Sequence, residues 1–212
     1  MKSDIQCLIS AGPTREWIDP VRFISNPSSG KMGYALAQAA QKRGIEVTLV
    51  SGPVNLKVPD GVRSIMVETA QEMNDAMQAL FEKADVTIMA AAVCDHRPQS
   101  KHGHKLKKNQ HPSYIKLEAN PDILESLGRR KKSSQILVGF AAETENHLVN
   151  AMTKIHNKNL DWIALNDVSR KGLGFQSDFN AITMLSKDEE TVILDRDTKL
   201  VIASRILKLL FK

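Results

Sequence analysis

The segment spanning residues 24–33 carries the residue types that point most directly to chemistry. It places the carboxamide of Asn26, the hydroxyls of Ser28 and Ser29 and the ammonium group of Lys31 at the predicted start of an amphipathic helix. The free N–H groups and the dipole at a helix start attract anions, above all phosphates. The segment therefore predicts a site for a phosphorylated ligand or a nucleotide, although it matches neither the GxxxxGK(S/T) loop nor the GxGxxG motif.

Small residues followed by polar ones recur at the ends of the predicted strands. The small residues allow a ligand to approach the backbone, and the polar residue that follows can then contact it. Because the ligands of open α/β sheets bind beyond the carboxyl ends of the strands, four such clusters together predict a nucleotide site at that edge. The clusters comprise residues 12–14 with 26–33, residues 90–95, residues 139–144 and residues 166–169.

Lysines offer positive charge for phosphates in two places. Residues 105–108 form a Lys-Leu-Lys-Lys run within the interval 93–113, which lacks clear periodicity and predicts a long functional or mobile loop. This run is either a solvated charge cluster or a flap of ammonium groups that neutralises charge developing during transfer. Lys154 and Lys158 lie on one predicted helix face, as either a solvent-facing stripe or a pair of phosphate contacts.

Several other chemistries are disfavoured. The sequence has no GxSxG nucleophile elbow and no plausible catalytic triad around Cys7 or Cys94. His102, His104 and His111 lie in the lysine-rich loop, without the closely spaced cysteine or carboxylate partners of a structural zinc site. The pattern disfavours a covalent hydrolase, predicts no metal ligands from the protein, and favours direct chemistry between bound substrates.

The composition is that of an ordinary globular protein, with 42% hydrophobic and 25% charged residues, and predicts a single domain over residues 1–212. No apolar run approaches the roughly 20 residues that span a bilayer, and no apolar signal segment precedes the first strand. Two cysteines make no disulfide framework. We therefore expect a cytoplasmic protein without a membrane partner.

The net charge of +5 raises the possibility of a nucleic-acid partner. Aromatic residues make up only 5% of the chain, however, and no recognised nucleic-acid motif is present. A basic groove for small polyphosphates explains the charge as well, and we expect no nucleic-acid partner.

The alternation of strand-like and helix-like segments predicts an α/β fold: a three-layer, Rossmann-like, doubly wound and mostly parallel sheet with a C-terminal β-hairpin extension. The nearly all-apolar segment 86–92 is typical of a central parallel strand covered on both faces. The predicted strands cover residues 5–10, 46–51, 64–68, 86–92, 136–139 and 162–165, with helices at 30–43, 70–84 and 145–157, a hairpin at 181–186 and 191–195, and a closing helix at 198–211.

Together these clusters resemble the phosphopantothenoylcysteine synthetase family, also called phosphopantothenate–cysteine ligase. The matching segments occur in the family's order and cover residues 5 to 180. They are residues 11–16, 19–22, 25–33, 91–95, 105–108, 120–124, 139–144, 166–169, 174–175 and 177–178. Many bacterial members are fused to a flavin-dependent decarboxylase, and nothing in this chain resembles that part, so we expect the stand-alone form or an isolated synthetase domain.

The resemblance implies a step of coenzyme A biosynthesis in which 4′-phosphopantothenate is ligated to L-cysteine through an acyl-cytidylate, giving 4′-phosphopantothenoylcysteine, CMP and pyrophosphate. It implies CTP as co-substrate with Mg²⁺, a homodimer with active sites near the subunit contact, and a phosphopantothenoylcysteine decarboxylase as a possible partner. By the same resemblance Asn26 contacts the acyl-nucleotide and Lys105 the phosphates as catalytic residues. The nucleotide-binding residues would be Met89, Ala90, Ala91, Asp95, Lys105, Pro121, Asp122, Ile123, Leu124 and Phe140, with Lys154 and Lys158 on the triphosphate.

Three positions depart from the family's usual residues, namely Pro27, Cys94 and His96, and they bear on efficiency or nucleotide preference. Three alternatives remain at this point. One is an ATP-dependent form of the same reaction, and another is a non-catalytic nucleotide-binding subunit of a decarboxylase complex. The third, a Rossmann-type NAD(P) oxidoreductase, lacks its GxGxxG fingerprint in the first βα unit.

Overall fold

An eight-stranded β-sheet organises the computed structural model, which describes residues 5–107, 114–143, 147–167 and 176–211. The elements in chain order are β1 (Gln6–Ala11), β2 (Arg15–Trp17), β3 (Phe23–Ser25), α1 (Lys31–Lys42), β4 (Glu46–Ser51), β5 (Arg63–Met66), α2 (Ala70–Phe81), β6 (Val86–Met89), β7 (His96–Pro98), β8 (Leu117–Ala119), α3 (Ile123–Arg130), β9 (Ile136–Glu143), α4 (His147–Asn157), β10 (Trp162–Asp167), β11 (Phe179–Ser186), β12 (Thr191–Thr198) and α5 (Lys199–Leu210).

The strand order of the sheet is β5-β4-β1-β6-β9-β10-β11-β12. The first six of these strands run parallel, whereas β11 and β12 are antiparallel to their neighbours. The chain moves outward from β1 through β4 to β5 and then returns to the other side of β1 as β6. This reversal creates a crevice between the carboxyl ends of β1 and β6, which is where doubly wound folds bind their ligands.

Helices cover both faces of the sheet, which confirms the predicted three layers. On one face α1 and α5 contribute Leu36 and Ile206 to a core shared with Ile9 of β1. On the other face α2, α3 and α4 pack around Met77 and Leu127. Because both faces are covered, the central parallel strands are largely buried, as in β6, in which all four residues are buried, whereas the edge strand β5 is mostly exposed.

Three helices begin at residues that cap their own first turn. The hydroxyl of Thr69 accepts from the Glu72 N–H to form a capping box at α2, and the Asp122 carboxylate accepts from the Glu125 N–H at α3. Thr198 caps α5 in the same way. These side chains satisfy N–H groups that the helix cannot, and each fixes where its helix starts. The start of α1, after Gly30, has no side-chain cap.

Two small antiparallel ribbons stand apart from the large sheet, and neither was predicted. One pairs β2 with β3, and the other pairs β7 with β8 across the interval that was expected to be one long loop. The strands have three residues each, too short to show periodicity in the sequence. The helix α3 was also not predicted. The predicted C-terminal hairpin is confirmed, and it extends the large sheet as β11 and β12.

Among the described residues, no helix combines the length and the apolar character needed to cross a membrane. Parts of the predicted clusters lie outside the described residues. They are Lys108 and His111 in the lysine-rich loop, Thr144 of the third strand-end cluster, and residues 168–169 and 174–175.

Candidate functional site

Two adjoining cavities open at the carboxyl edge of the sheet, beside the crevice between β1 and β6. We call the larger one the central cleft and the other the side cavity, and their volumes are about 370 and 350 Å³. They share a wall made of Ala91, Val93, Asp95 and Phe140. The central cleft is also lined by Asn26, Ser28, Gly30, Lys31, Met32, Ala90, Ala92, Ala141, Lys154, Asn166, Asn180 and Lys199, and the side cavity by Met89, Cys94, Asn120, Pro121, Asp122, Ile123, Leu124 and Lys158.

Asn26 lies on the wall of the central cleft, directly after β3. Its Nδ2 donates to the carbonyl oxygen of Ala92 at 3.0 Å and to that of Val93 at 3.2 Å. Both hydrogen bonds reach the loop that follows β6, so they fix the orientation of the amide. The Oδ1 atom is therefore the acceptor that Asn26 can offer to a bound ligand.

The loops after β1 and β6 are held together by a short series of hydrogen bonds. The Ala92 N–H donates to the Gly12 carbonyl at 2.9 Å, and the Cys94 N–H donates to the buried hydroxyl of Thr14 at 2.9 Å. The Ala91 N–H donates to the buried hydroxyl of Ser10 at 3.1 Å. These contacts give the shared wall a fixed backbone, against which a ligand can lie closely because the residues are small.

The side cavity has an apolar floor and a charged rim. Ile123 and Leu124, at the start of α3, and the buried Met89 supply apolar surface. Asp122 accepts from the Nζ of Lys158 at 2.6 Å, so this lysine is paired within the side cavity. An apolar pocket with a few polar groups at its rim suits the base and ribose of a nucleoside.

The two lysines of α4 do not face the same cavity. Lys154 lines the central cleft, whereas Lys158 lines the side cavity and pairs with Asp122. The predicted pair of triphosphate contacts is therefore divided between the cavities, because the shared wall runs between these side chains.

Phe140, which the resemblance assigns to the nucleotide, is half-buried. It packs against the hydrophobic core and also lines both cavities. Asp95 is exposed and likewise lines both. These two side chains therefore stand where a ligand that occupied both cavities would pass from one to the other.

Lys105 is exposed and does not line either cavity. Its segment is tied to the turn between β2 and β3, because the Leu106 N–H donates to the Asp19 carboxylate at 3.2 Å and Arg22 donates to the Leu106 carbonyl at 3.3 Å. Asp19 is buried, and its hydrogen bonds with the Arg22 guanidinium hold the pKa of that carboxyl well below its usual range. The tether fixes the base of the segment that carries Lys105.

Two polar residues of the central cleft, Lys199 and Asn180, were not singled out from the sequence. Lys199 is only 6% exposed and Asn180 only 1% exposed, and both line the cleft together with the predicted Lys31. Burial, and after it the nearby Lys31 charge, lowers the pKa of Lys199 to about 8. Lys199 starts a helix and Asn180 lies in an edge hairpin, so nothing in the local pattern distinguishes them from surface residues.

One acceptor in the central cleft stands out. The Oδ1 atom of Asn166, at the end of β10, is buried and accepts no hydrogen bond from the residues that the structure describes. A buried acceptor without a donor costs on the order of 1–3 kcal/mol, so its presence favours a ligand or water that donates there. The sequence placed this residue in the fourth strand-end cluster.

The cysteines and histidines do not form a reactive or metal-binding centre within the described part of the chain. Burial raises the pKa of Cys7 to about 12, and burial also raises the pKa of Cys94, so neither thiol readily forms a thiolate. No group of three or more potential metal ligands occurs among these residues. His102 and His104 are exposed.

Two further cavities lie on the outer side of α1, with volumes of about 360 and 580 Å³. Lys31 lines both, and Ser28 and Ser29 line the larger one, but none of the residues that the resemblance assigns to catalysis or to the nucleotide does. The predicted residues, apart from Lys105, converge instead on the two cavities at the carboxyl edge.

Residues 2–212 match the family model described as the DNA/pantothenate metabolism flavoprotein C-terminal domain. Among curated proteins, the chain is 49% identical over 203 residues to the coenzyme A biosynthesis bifunctional protein CoaBC of Vibrio parahaemolyticus, covering 95% of this chain and 51% of that protein. It is 46% identical over 202 residues to the CoaBC protein of Bacillus subtilis, covering 95% of this chain and 50% of that protein. The chain thus spans about half the length of the curated relatives it matches.

A solved structure shows the same fold. The crystal structure of the C-terminal domain of the coenzyme A biosynthesis bifunctional protein CoaBC superimposes with a TM-score of 0.84 at 43% sequence identity, and the match covers 98% of this chain and 94% of that one. The Rossmann-like, mostly parallel sheet predicted from the sequence is therefore confirmed by a structure of this domain type.

Proposed function

Because the chain belongs to the family of the DNA/pantothenate metabolism flavoprotein C-terminal domain, we propose that it ligates 4′-phosphopantothenate to L-cysteine with consumption of CTP. The phosphopantothenate carboxylate attacks the α-phosphorus of CTP, and the bond to the β-phosphate breaks to release pyrophosphate. The cysteine amine then attacks the acyl carbonyl and loses a proton, and CMP leaves. The observation that carries the proposal is the pair of adjoining cavities, which have a common wall beside Asn26.

The pair of cavities supplies what such a reaction requires. A nucleoside in the side cavity and an acyl chain in the central cleft would meet at the wall formed by Ala91 and Asp95. Holding two reactants in position converts a bimolecular step into an effectively unimolecular one, which is a large part of the available rate enhancement. No thiolate is needed, which agrees with the buried cysteines.

Asn26 is suited to the second step. Its Nδ2 group is engaged with the Ala92 and Val93 carbonyls, so its Oδ1 faces a ligand as an acceptor. The attacking amine of cysteine is a donor, and an acceptor that orients it toward the acyl carbonyl would lower the barrier to amide formation. In this mechanism Asn26 assists the attack of the cysteine amine more than the reaction with the nucleotide.

The charges that develop on phosphates would be neutralised from two sides. Lys154 lies in the central cleft, and Lys105 is carried by the tethered segment outside it, where closure over a bound nucleotide would bring it to the phosphates. Mg²⁺ is expected to bind with the nucleotide, since it usually retains waters and takes one or two carboxylates plus substrate phosphates. The exposed Asp95 is the carboxylate available for it at the shared wall.

The proposal extends to assembly. The ribbon of β2 and β3 and the region of β8 expose apolar side chains, Val21, Phe23, Tyr114 and Leu117 among them. Such surface is expected at a subunit contact, and we include a homodimer in the proposal. Since the curated relatives are about twice as long, the proposal also includes a decarboxylase as a fused or separate partner.

The decisive experiment measures pyrophosphate release by the purified chain with 4′-phosphopantothenate, L-cysteine and Mg²⁺, with CTP and ATP compared in parallel. Continuous release with CTP, together with a product of the mass of the amide, is the expected result. When cysteine is left out, release should stop after a stoichiometric burst, because the acyl-nucleotide has no acceptor.

The other outcomes are equally informative. Release with ATP alone would replace CTP in the proposal and leave the ligation intact. Nucleotide binding without release or amide would contradict the ligase and favour a non-catalytic subunit of a decarboxylase complex.

A further inference from the structure

Two ammonium groups line the same wall of the central cleft. Lys199 is the first residue of α5 and is 6% exposed, and Lys31 is the first residue of α1. The two helices pack side by side on one face of the sheet and share its core. This packing brings together two lysines that are remote in the sequence, beside the buried amide of Asn180.

Among the described residues that line the central cleft, cationic side chains outnumber anionic ones. The carboxylate of Asp178 accepts from the Lys31 Nζ at 2.6 Å, and its charge also acts on Lys199. The Asp178 side chain is 77% exposed, so that water screens its effect on both ammonium groups. Lys154 adds a third ammonium group to the lining of the same cleft.

The position of Lys199 is energetically unfavourable for the folded protein alone. Burial of a charged lysine is costly, and a cation at the first residue of a helix opposes the helix dipole. A threonine caps this helix already, so the lysine is not needed to start it. The arrangement is explained if an anion binds in the cleft and the ammonium group interacts with it.

We propose that Lys199 and Lys31 bind the terminal phosphates of the nucleoside triphosphate, so that pyrophosphate departs along this wall. The inference rests on the proposed function and adds to it the polyphosphate end of the site. With the nucleoside in the side cavity, the phosphate chain passes the shared wall at Ala91 and enters the central cleft. Lys158 lines the side cavity and not the central cleft, so the lysines that the phosphate chain meets there are those of the central cleft.

The proposal makes the affinity for polyphosphate depend on pH. Burial and the charge of Lys31 lower the pKa of Lys199 to about 8, while Asp178 raises it in part. A bound polyanion stabilises the ammonium form and raises this pKa. The affinity for CTP then falls as the pH rises through about 8, where the terminal phosphate of the nucleotide is already ionised.

The test compares Lys199→Met, Lys199→Arg and the control Lys208→Met, which removes an exposed lysine from the last turn of the same helix. Isothermal titration calorimetry measures the dissociation constants for CTP, CMP, inorganic tripolyphosphate and 4′-phosphopantothenate at constant ionic strength. Thermal unfolding reports the fold. We expect Lys199→Met to weaken the binding of CTP and of tripolyphosphate by about tenfold or more and the binding of CMP by less than about twofold. The melting temperature should not fall.

The pH series supplies an independent readout. Wild-type affinity for CTP should fall above about pH 8, whereas Lys199→Arg should bind CTP with little change up to about pH 9.5, because a guanidinium stays protonated there. The control should resemble the wild type in every measurement.

Each contrary result overturns a different statement. An equal loss for CTP and CMP, or no loss for either, would show that Lys199 does not contact the terminal phosphates, even if the ligase reaction proceeds. A loss confined to 4′-phosphopantothenate would assign the wall to the phosphate of that substrate instead. A wild-type chain that bound tripolyphosphate but not CTP would contradict the nucleotide in the proposed function and retain the anion site.

Discussion

The close packing of α1 on β1 leads to a quantitative prediction for Gly33→Ala. A Cβ atom at Gly33 would lie 2.5 Å from the Cβ of Ala11, 3.0 Å from its Cα and 3.0 Å from the carbonyl oxygen of Ser10. Two of these atoms belong to the backbone of β1, so no side chain can rotate away. Restoring an ordinary contact of 3.4 Å at the closest atom requires the helix and strand to separate by about 1 Å.

The magnitude follows from two opposing effects. Overpacking a well-filled interface costs about 1–3 kcal/mol, and backbone contacts favour the upper end of this range. Alanine is better than glycine inside a helix by about 1 kcal/mol. We expect a net loss of about 2 kcal/mol in the free energy of unfolding, equivalent to a melting temperature lower by about 4–8 °C for a chain of this length.

Activity should decline by more than stability does. The start of α1 carries Lys31 into the central cleft, and the Ser10 hydroxyl holds the Ala91 N–H at the shared wall. A displacement of about 1 Å in groups that position substrates can reduce turnover about 100-fold. Pyrophosphate release at saturating substrates, measured well below the melting temperature, tests this directly.

Gly44→Ala is the matched control for this prediction. Gly44 follows the end of α1 with a φ of +79°, and nothing lies within 4 Å of a Cβ placed there. The left-handed backbone should cost an alanine about 1–2 kcal/mol, far from the cleft. Similar destabilisation with normal turnover is expected, and a Gly33→Ala variant with wild-type stability and turnover would refute the packing argument.

Three further predictions concern other parts of the molecule. The Asn26→Asp variant should release pyrophosphate in a single burst and accumulate the acyl-nucleotide, because the Ala92 and Val93 carbonyls that orient the amide would repel a carboxylate. Mass spectrometry of the bound species tests this prediction, and a normal yield of the amide product would contradict it. Lys105→Gln should lower turnover at least about tenfold while changing the free energy of unfolding by less than about 0.5 kcal/mol, because the side chain is exposed. If the variant and the wild type turned over equally in paired assays, the lysine run would be a solvated charge cluster. Burial raises the pKa of Asp161, but hydrogen bonds from Lys131, the Leu137 N–H and Lys187 outweigh it, so the net shift is downward. The stability that this carboxylate contributes is therefore present above its unfolded pKa of about 4 and lost as the pH falls through the lower folded pKa. Asp161→Asn should lower the free energy of unfolding by about 2–3 kcal/mol at pH 7 and by less in acid. Urea unfolding at the two pH values measures both losses, and equal losses would disprove the assignment.

Local patterns in the sequence predicted the elements of the large sheet well. The central parallel strands are mostly apolar because both faces are covered, and the helices show one apolar face, so burial predicts their existence. The predicted bounds of β4 agree with the structure, and most others differ by a few residues. The short strands β2, β3, β7 and β8 could not be predicted, since three residues carry no period and each pairing depends on its partner.

The candidate site, too, could be predicted only in part from the sequence. Residues such as Ala91, Asp95 and Asn166 lie at or after the ends of strands that finish at one edge of the sheet, so the sequence could indicate that they converge. The separation of Lys154 from Lys158 depends on where the shared wall runs, which no spacing along a helix reveals.

The sequence by itself therefore determined the succession along the chain of the main strands and of most helices. It also determined the edge of the sheet at which chemistry is expected and the residue types available there. Only the tertiary structure decided that Lys199 and Asn180 join Lys31 in the central cleft, because α5 returns across the sheet to pack against α1. Local periodicity reports which face of an element is buried, but it carries no information on which distant element covers that face. The charge of the cleft is thus a property of the folded chain.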